Sequence, residues 1–377
     1  MAGSSSVFGD KQALGLGARI LALLRLDAPL LTGLLAVSAF GLVVLWSAGG
    51  QDEGLLLRQF IRLGVAFGVM LVVAQVPPKM LRLWAPWMFI VGLALLFAVL
   101  FFGATGKGAQ RWLDLGIVRF QPSEMMKLAV PMMAAWYLHD RPLPPRFLEL
   151  CALLLMVVVP AFLIARQPDL GTALLIASSG LLVVLLGGLR VRMMLLLGAL
   201  GAALAPVLWY FMHDYQRRRV LTFLQPESDP LGAGYHIIQS KIAIGSGGLF
   251  GKGWGNGSQA QLEFLPERST DFIFAVLGEE FGLIGLALLI AGYLFIIGRG
   301  LYIALQAQDT FGRLLAGSIS LTFFVYVFVN TGMVTGLLPV VGVPLPLVSY
   351  GGTSMVTLMA GFGMLMSIQG HRNLLAR

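Results

Sequence analysis

Charge is scarce in this chain. Of its 377 residues only 12% are Asp, Glu, Lys or Arg, against about 25% in a typical soluble domain. That deficit excludes an ordinary water-soluble fold. Cysteine is nearly absent: Cys151 stands alone, so no intramolecular disulfide framework can hold the loops. The histidines, His139, His213, His236 and His371, are scattered, and neither HExxH nor CxxC occurs. A metal cluster of familiar spacing is therefore absent from the sequence. Internal repeats, low-complexity tracts and Gly-rich nucleotide-binding motifs are also missing. The formal net charge is +8, but the basic residues flank apolar runs, which suits contact with anionic membrane lipids and excludes nucleic acid as the partner. Lys11, Arg19 and Arg25 precede a long apolar run with no small-residue cleavage site after it, so that run is expected to be an uncleaved signal-anchor.

What is abundant is apolar surface: 58% of the residues are hydrophobic, with 47 Gly and 17 Met. Gly lets membrane helices approach closely. A spanning helix needs roughly 20 apolar residues. Runs of that kind lie at about 30–48, 61–76, 84–102, 122–138, 147–165, 171–189, 193–212, 271–298, 314–334 and 352–368. The expected fold class is an all-α polytopic membrane protein of about ten transmembrane helices, a single integral membrane domain over 1–377. A large extracytoplasmic loop, about 213–270, separates spans 7 and 8. Lys79/Arg82, Arg141/Arg146, Arg190/Arg192, Arg299/Arg313 and Arg372/Arg377 fall in short connections on one side. The positive-inside rule makes that side cytoplasmic, with both termini there.

The opposite set of connections is also rich in cations, against that bias. Lys107, Arg111, Arg119, Arg166, Arg217, Arg218, Arg219, Lys241, Lys252 and Arg268 all belong to it. An anionic, phosphate-bearing ligand at the outer leaflet would account for them. Among them lies QLEFLPERSTDFIFAVLGEEFG, residues 261–282, with Glu263, Glu267, Arg268 and Asp271 ahead of Glu279 and Glu280. Acids can simply favour a helix start. A carboxylate at a bilayer interface is costly, however, unless it is paired or lines a wet cavity, and so marks a candidate functional site.

Four further clusters face the same side. Gln121-Pro122-Ser123-Glu124 reads as a helix start, and Glu124 and Lys127 share one helix face as a buried pair or as cavity-lining groups. Asp169, in RQPDLGT, reads as an N-cap beside Arg166 and as a second carboxylate facing the cavity. The loop from Tyr235 to Ile244 has the spacing of a short amphipathic helix lying in the interface. Finally, residues 331–355 are almost wholly apolar yet carry Pro339, Pro344 and Pro346, so they are expected to form a re-entrant or broken segment buried in protein. The stretch from Ser349 to Ser354 then offers hydroxyls and backbone donors at a helix start, a ready anion site.

GAQRWLDLG and RFQPSE (108–124), RQPDLGTA (166–173), the segment 218–259, FLPERSTDFIFAVLGEEFG (264–282) and NTGMVTGLLPVVGVPLPLVSYGGTS (330–354) together resemble the SEDS family of shape, elongation, division and sporulation proteins. They are closer to its elongation (RodA) branch than to its division (FtsW) branch. The resemblance implies a peptidoglycan glycosyltransferase of the bacterial inner membrane, active on the outer face. It would polymerise lipid II with a class B penicillin-binding protein and other elongation-complex proteins as partners. It places the family's essential aspartate at Asp271 and its ion pair at Glu124 and Lys127, which form the catalytic set.

Inversion from an α-linked diphosphate sugar to a β-1,4 glycan needs a base on the acceptor and stabilisation of the departing diphosphate. Asp271 fits the first role. Arg218, Arg219, Lys241 and Arg268, with Asp169, Ser349 and Ser354, fit the substrate-binding role. No cofactor is evident. A divalent cation such as Mg2+ bridging Asp271 and the diphosphate stands as an alternative to direct base catalysis. A lipid II flippase and a non-catalytic scaffold are the other functional readings, although a transporter should place its charge near the midplane.

Overall fold

The structure is a computed structural model that describes residues 24–372 except 107–108, 115–118, 213, 230–231, 263 and 266. Lys11, Arg19, Lys107, His213, Glu263 and Arg377 therefore lie outside the described residues. Its helices are α1 (Ala28–Ala48), α2 (Glu53–Gln75), α3 (Pro78–Phe102), α4 (Pro122–Leu138), α5 (Phe147–Arg166), α6 (Leu170–Leu186), α7 (Val191–Phe211), α8 (Asp214–Leu224), α9 (Ala233–Gly247), α10 (Ser258–Gln261), α11 (Ile273–Gln306), α12 (Thr310–Val334) and α13 (Thr353–Gly370). Ten of them fall on the ten apolar runs. Six, α1, α2, α3, α5, α11 and α12, are long and apolar enough by themselves to cross a membrane, and α6 and part of α7 are shorter apolar helices. The chain is a multi-pass helical membrane protein.

Local chemistry sets the helix ends. The Asp27 carboxylate accepts from the Leu30 N–H at 2.9 Å to cap α1, and Arg299 of α11 donates to both Asp27 oxygens at 2.9 and 2.7 Å. Asp52, Asp169 and Asp309 cap α2, α6 and α12 in the same way. Pro122 opens α4, where its missing N–H costs nothing. In the core α1 packs on α11, α11 on α12, α12 on α6, and α2 on α13. Phe60, Val72 and Trp87 point outward and are largely exposed, as lipid-facing side chains are.

Two features depart from the sequence expectation. The loop 103–121 contains a small antiparallel sheet of order β1-β2-β3, made of β1 (Ala104–Gly106), β2 (Ala109–Asp114) and β3 (Arg119–Phe120). In β2 two polar residues are followed by two apolar ones, so it lacks the period-2 pattern by which a strand is recognised. The run 271–298 is not one straight span either. α11 is broken at Gly282, whose φ of 63° suits glycine. A Cβ there would stand 2.4 Å from the Gly251 nitrogen. The piece ahead of the break is buried from Ile273 to Glu280 and bonded to the Gly-rich loop: the Lys252 and Gly253 N–H groups donate to the Glu279 and Glu280 carbonyls, both at 3.0 Å.

The segment between α12 and α13 is non-helical and deeply packed, as the prolines predict. Val343, Leu345, Leu347 and Val348 are buried, and the Tyr293 hydroxyl donates to the Pro346 carbonyl at 2.7 Å. Below, residues 335–352 are called the broken segment.

Candidate active site

Asp271 sits at the turn that leads into α11, half-buried. Its neighbours are fastened to the broken segment. The Asn330 amide, on α12, donates to the Asp271 carbonyl at 2.9 Å and to the Val343 carbonyl at 2.7 Å. The Ser349 hydroxyl donates to the Thr270 carbonyl at 2.6 Å and accepts from the Leu345 N–H at 2.8 Å. The Tyr350 N–H donates to the Ser269 carbonyl at 2.8 Å. Three consecutive residues, 269–271, are thus held by side-chain or backbone donors. The Asp271 carboxylate lies over Gly342: a Cβ added to that glycine, at φ +75°, would be 3.6 Å from Oδ2.

The broken segment also gathers the other candidates. Arg219, on α8, donates to the Val341 carbonyl at 3.5 Å, one residue from Gly342. The Lys241 side chain of α9 packs against Gly336. Gly171, in the first turn of α6, approaches the Val341 carbonyl so closely that a Cβ would stand 2.7 Å from it. Asp169 caps that helix through the Thr172 N–H at 3.2 Å, accepts from Gln121 at 3.3 Å, and lies 3.7 Å from Arg111. Its immediate cation is therefore Arg111, not the Arg166 suggested by sequence proximity. Arg268 turns toward Gly50, between α1 and α2. Arg218 is exposed on α8.

At the start of α13 the segment meets the ion pair. Lys127 Nζ is 2.8 Å from Glu124 Oε1 and 3.5 Å from the Ser354 hydroxyl, and lies 5.6 Å from the Tyr326 ring centre. Both charged side chains are about nine-tenths buried, and Glu124 Oε2 has no hydrogen-bond partner. A buried pair of this kind fixes geometry: losing one member strands the other. Ser349 has both hydroxyl roles filled within the chain, so its structural contribution is to position the turn before Asp271.

Several contacts emerge only in three dimensions. Gln59 of α2 is buried; it donates to the Ser349 carbonyl at 3.2 Å and accepts from the Gly351 N–H at 3.3 Å. The Arg62 guanidinium stacks over the Tyr350 ring at 4.4 Å. Glu279, fully buried, accepts from Lys252 at 2.7 Å, from Ser258 at 3.0 Å and from the Gln259 N–H at 3.1 Å. The sequence signal for Glu279 was an acid inside an apolar run, but its partner is 27 residues away. His236 packs on Phe272 at 5.5 Å between ring centres. Burial lowers its pKa below the usual 6.5, with Glu267 and Asp229 opposing the shift. Among the described residues no group of three or more His, Cys, Asp or Glu could hold a metal ion.

The chain's relatives agree with this arrangement of elements. The FtsW/RodA/SpoVE family model, described as "Cell cycle protein", matches residues 22–374. "Peptidoglycan glycosyltransferase MrdB" of Escherichia coli (strain K12) is 57% identical over 354 residues, covering 94% of this chain and 96% of that one. "Probable peptidoglycan glycosyltransferase FtsW" of Geobacter sulfurreducens (strain DL-1 / KN400) is 36% identical over 369 residues, covering 94% and 98%. Among solved structures, a chain of a peptidoglycan synthase complex that coordinates polymerization and crosslinking superposes with a TM-score of 0.80 at 34% identity, covering 92% of this chain and 99% of that one. The rod shape determining protein RodA of Thermus thermophilus superposes with a TM-score of 0.69 at 30% identity, covering 92% and 98%.

Proposed function

The chain belongs to the FtsW/RodA/SpoVE family of cell cycle proteins and is a peptidoglycan glycosyltransferase, and on that premise we propose that it polymerises lipid II with Asp271 as the base. The observation that carries this reading is the placement of one carboxylate, over the Gly342 backbone, on a turn whose own backbone is fixed by Asn330 and Ser349. A base must be held within reach of the hydroxyl it deprotonates. Asp271 takes the proton from the acceptor sugar hydroxyl as that oxygen attacks the anomeric carbon and the diphosphate departs.

Arg219 and Lys241, which contact the same segment, supply positive charge to the leaving diphosphate. Arg268 offers a third cation at the turn between α1 and α2. Beside that turn runs an apolar groove of about 600 Å³, lined by Leu42, Trp46, Leu56, Leu57, Phe60 and Trp254. Its chemistry suits a polyprenyl tail. Glu124 and Lys127 hold α4 against the start of α13, with Glu124 Oε2 buried and without a hydrogen-bond partner. If a divalent cation such as Mg2+ takes part, Asp271 would offer it a carboxylate ligand, and the cation would supply further charge to the diphosphate.

The cations and carboxylates gather at helix ends on one face, which favours interfacial chemistry over a flippase with charge at its midplane. That face is the outer one, with both termini cytoplasmic, by the distribution of basic residues. The likeness to a chain of a peptidoglycan synthase complex supports a class B penicillin-binding protein as the partner. The direct test is polymerisation of lipid II by the purified chain, alone and with that partner, read as glycan strands on a gel. Transfer of lipid II across vesicles without polymer would favour the flippase instead.

A further inference from the structure

At the end of the bundle away from Asp271 lies a cavity of about 380 Å³, within the roughly 300–1,000 Å³ typical of small-ligand sites. Three separate elements build it. Lys79 and Arg82 come from the start of α3, Asp309 from the turn between α11 and α12, and Ile368, His371 and Arg372 from the end of α13. α13 runs from the Lys127–Ser354 contact to this cavity, and its 18 residues separate the two by about 27 Å.

The charge in the cavity is one-sided. Lys79, Arg82 and Arg372 face a single carboxylate, Asp309, which already accepts the Gly312 N–H at 3.2 Å as the cap of α12. Around the rim, His371 meets Arg25, and Arg82 meets His139. His139 in turn lies 3.3 Å from Asp140. Helix-end electrostatics account for Arg372 after the C-terminus of α13 but not for Lys79 and Arg82, which stand at the N-terminal end of α3, where the dipole disfavours cations. The positive-inside rule accounts for basic residues on this face but not for their convergence on one cavity from separate elements.

We propose that this cavity binds the phosphate headgroup of an anionic phospholipid of the cytoplasmic leaflet. Basic pockets between membrane helices on this side recognise such headgroups through paired or clustered Lys and Arg. The long lipid-facing flanks of α2 and α3 beside it, with Val72, Trp84 and Trp87 exposed, leave the acyl chains in the bilayer. A free inorganic phosphate would satisfy the same cations, so the test separates the two sources.

The full chain in phosphatidylcholine nanodiscs, with and without phosphatidylglycerol, is examined by native mass spectrometry for retained lipid, beside a Lys79→Gln/Arg82→Gln variant. The expected result is retained phosphatidylglycerol on the wild type and at least about a tenfold loss of retention in the variant. Equal retention by both proteins overturns the proposal. Thermal stabilisation of the wild type, but not the variant, by inorganic phosphate in pure phosphatidylcholine, without phosphatidylglycerol retention, overturns the lipid assignment in favour of a soluble anion. Should the variant not fold, a photoreactive phosphatidylglycerol on the wild type decides. Labelling of peptides around residues 77–82 and 368–372 supports the site, and labelling confined to other segments overturns it.

Discussion

Asn330 donates its side-chain amide to the Asp271 carbonyl at 2.9 Å, and the same nitrogen serves Val343 at 2.7 Å. One fully buried residue of α12 thereby ties the turn carrying the candidate base to the segment beneath its carboxylate. Asn330→Ala removes the side-chain donor to the buried Val343 carbonyl and to the part-buried Asp271 carbonyl, at about 1–3 kcal/mol for an unsatisfied buried group. The expected outcome is a lowered melting temperature and a fall in kcat larger than the change in KM, since the base is displaced while the substrate surface is kept. Steady-state polymerisation with lipid II checks it. An unchanged kcat in a folded variant would contradict the positioning role.

Glu124 and Lys127 should behave as one unit. Glu124→Gln or Lys127→Met alone should cost about 3–5 kcal/mol, because each leaves a buried charge without its partner. The double variant should cost less than the sum of the two. Thermal melts of the three variants in one detergent give the comparison, and simple additivity would refute the pairing.

The Gly-rich loop 248–257, between α9 and α10, should depend on Glu279. Lys252→Met strands a carboxylate that is fully buried, whereas Glu279→Gln keeps acceptors for Ser258 and the Gln259 N–H. The first change is therefore expected to be the more destabilising, by about 1–3 kcal/mol. Limited proteolysis within the loop, followed by mass spectrometry, should rank the variants in that order.

His236 gives the region of α9 a pH dependence of known sign. Burial lowers its pKa below 6.5, so the folded state prefers the neutral ring. That preference stabilises the fold fully above about pH 6.5 and is lost as the pH falls through the lowered value. Glu267 and Asp229 face the ring and soften the effect. Melting temperatures should decline on acidification below about pH 6.5 in the wild type and decline less in His236→Gln. Identical profiles would remove His236 from the account.

Most of the architecture was legible because its signals are local. Each of the ten apolar runs lies on a helix, although α2 begins eight residues before its run and α11 ends eight residues beyond its own, and Pro339, Pro344 and Pro346 announced the broken segment. Asp169 read as a cap from the residues beside it and is one. What stayed hidden is non-local. The cation nearest Asp169 is Arg111, 58 residues earlier, and the donor fixing Asp271 is Asn330, 59 residues later. No spacing rule links such pairs, because tertiary packing alone brings them together. The break at Gly282 was masked by continuous apolar character on both sides, and the small sheet by its irregular alternation. The cations expected to act together are spread by the fold, with Arg219 and Lys241 against the broken segment and Arg268 beside Gly50.

The assignment of Asp271 as the base is tested most directly by Asp271→Asn, a change that keeps the size of the side chain and removes its basicity. The purified variant and wild type are compared for binding of lipid II and for its conversion to glycan polymer under the same conditions. The account predicts a fold and lipid II affinity near those of the wild type, with polymer formation reduced by about 10²–10⁴ or more. Polymer at the wild-type rate from Asp271→Asn would contradict it.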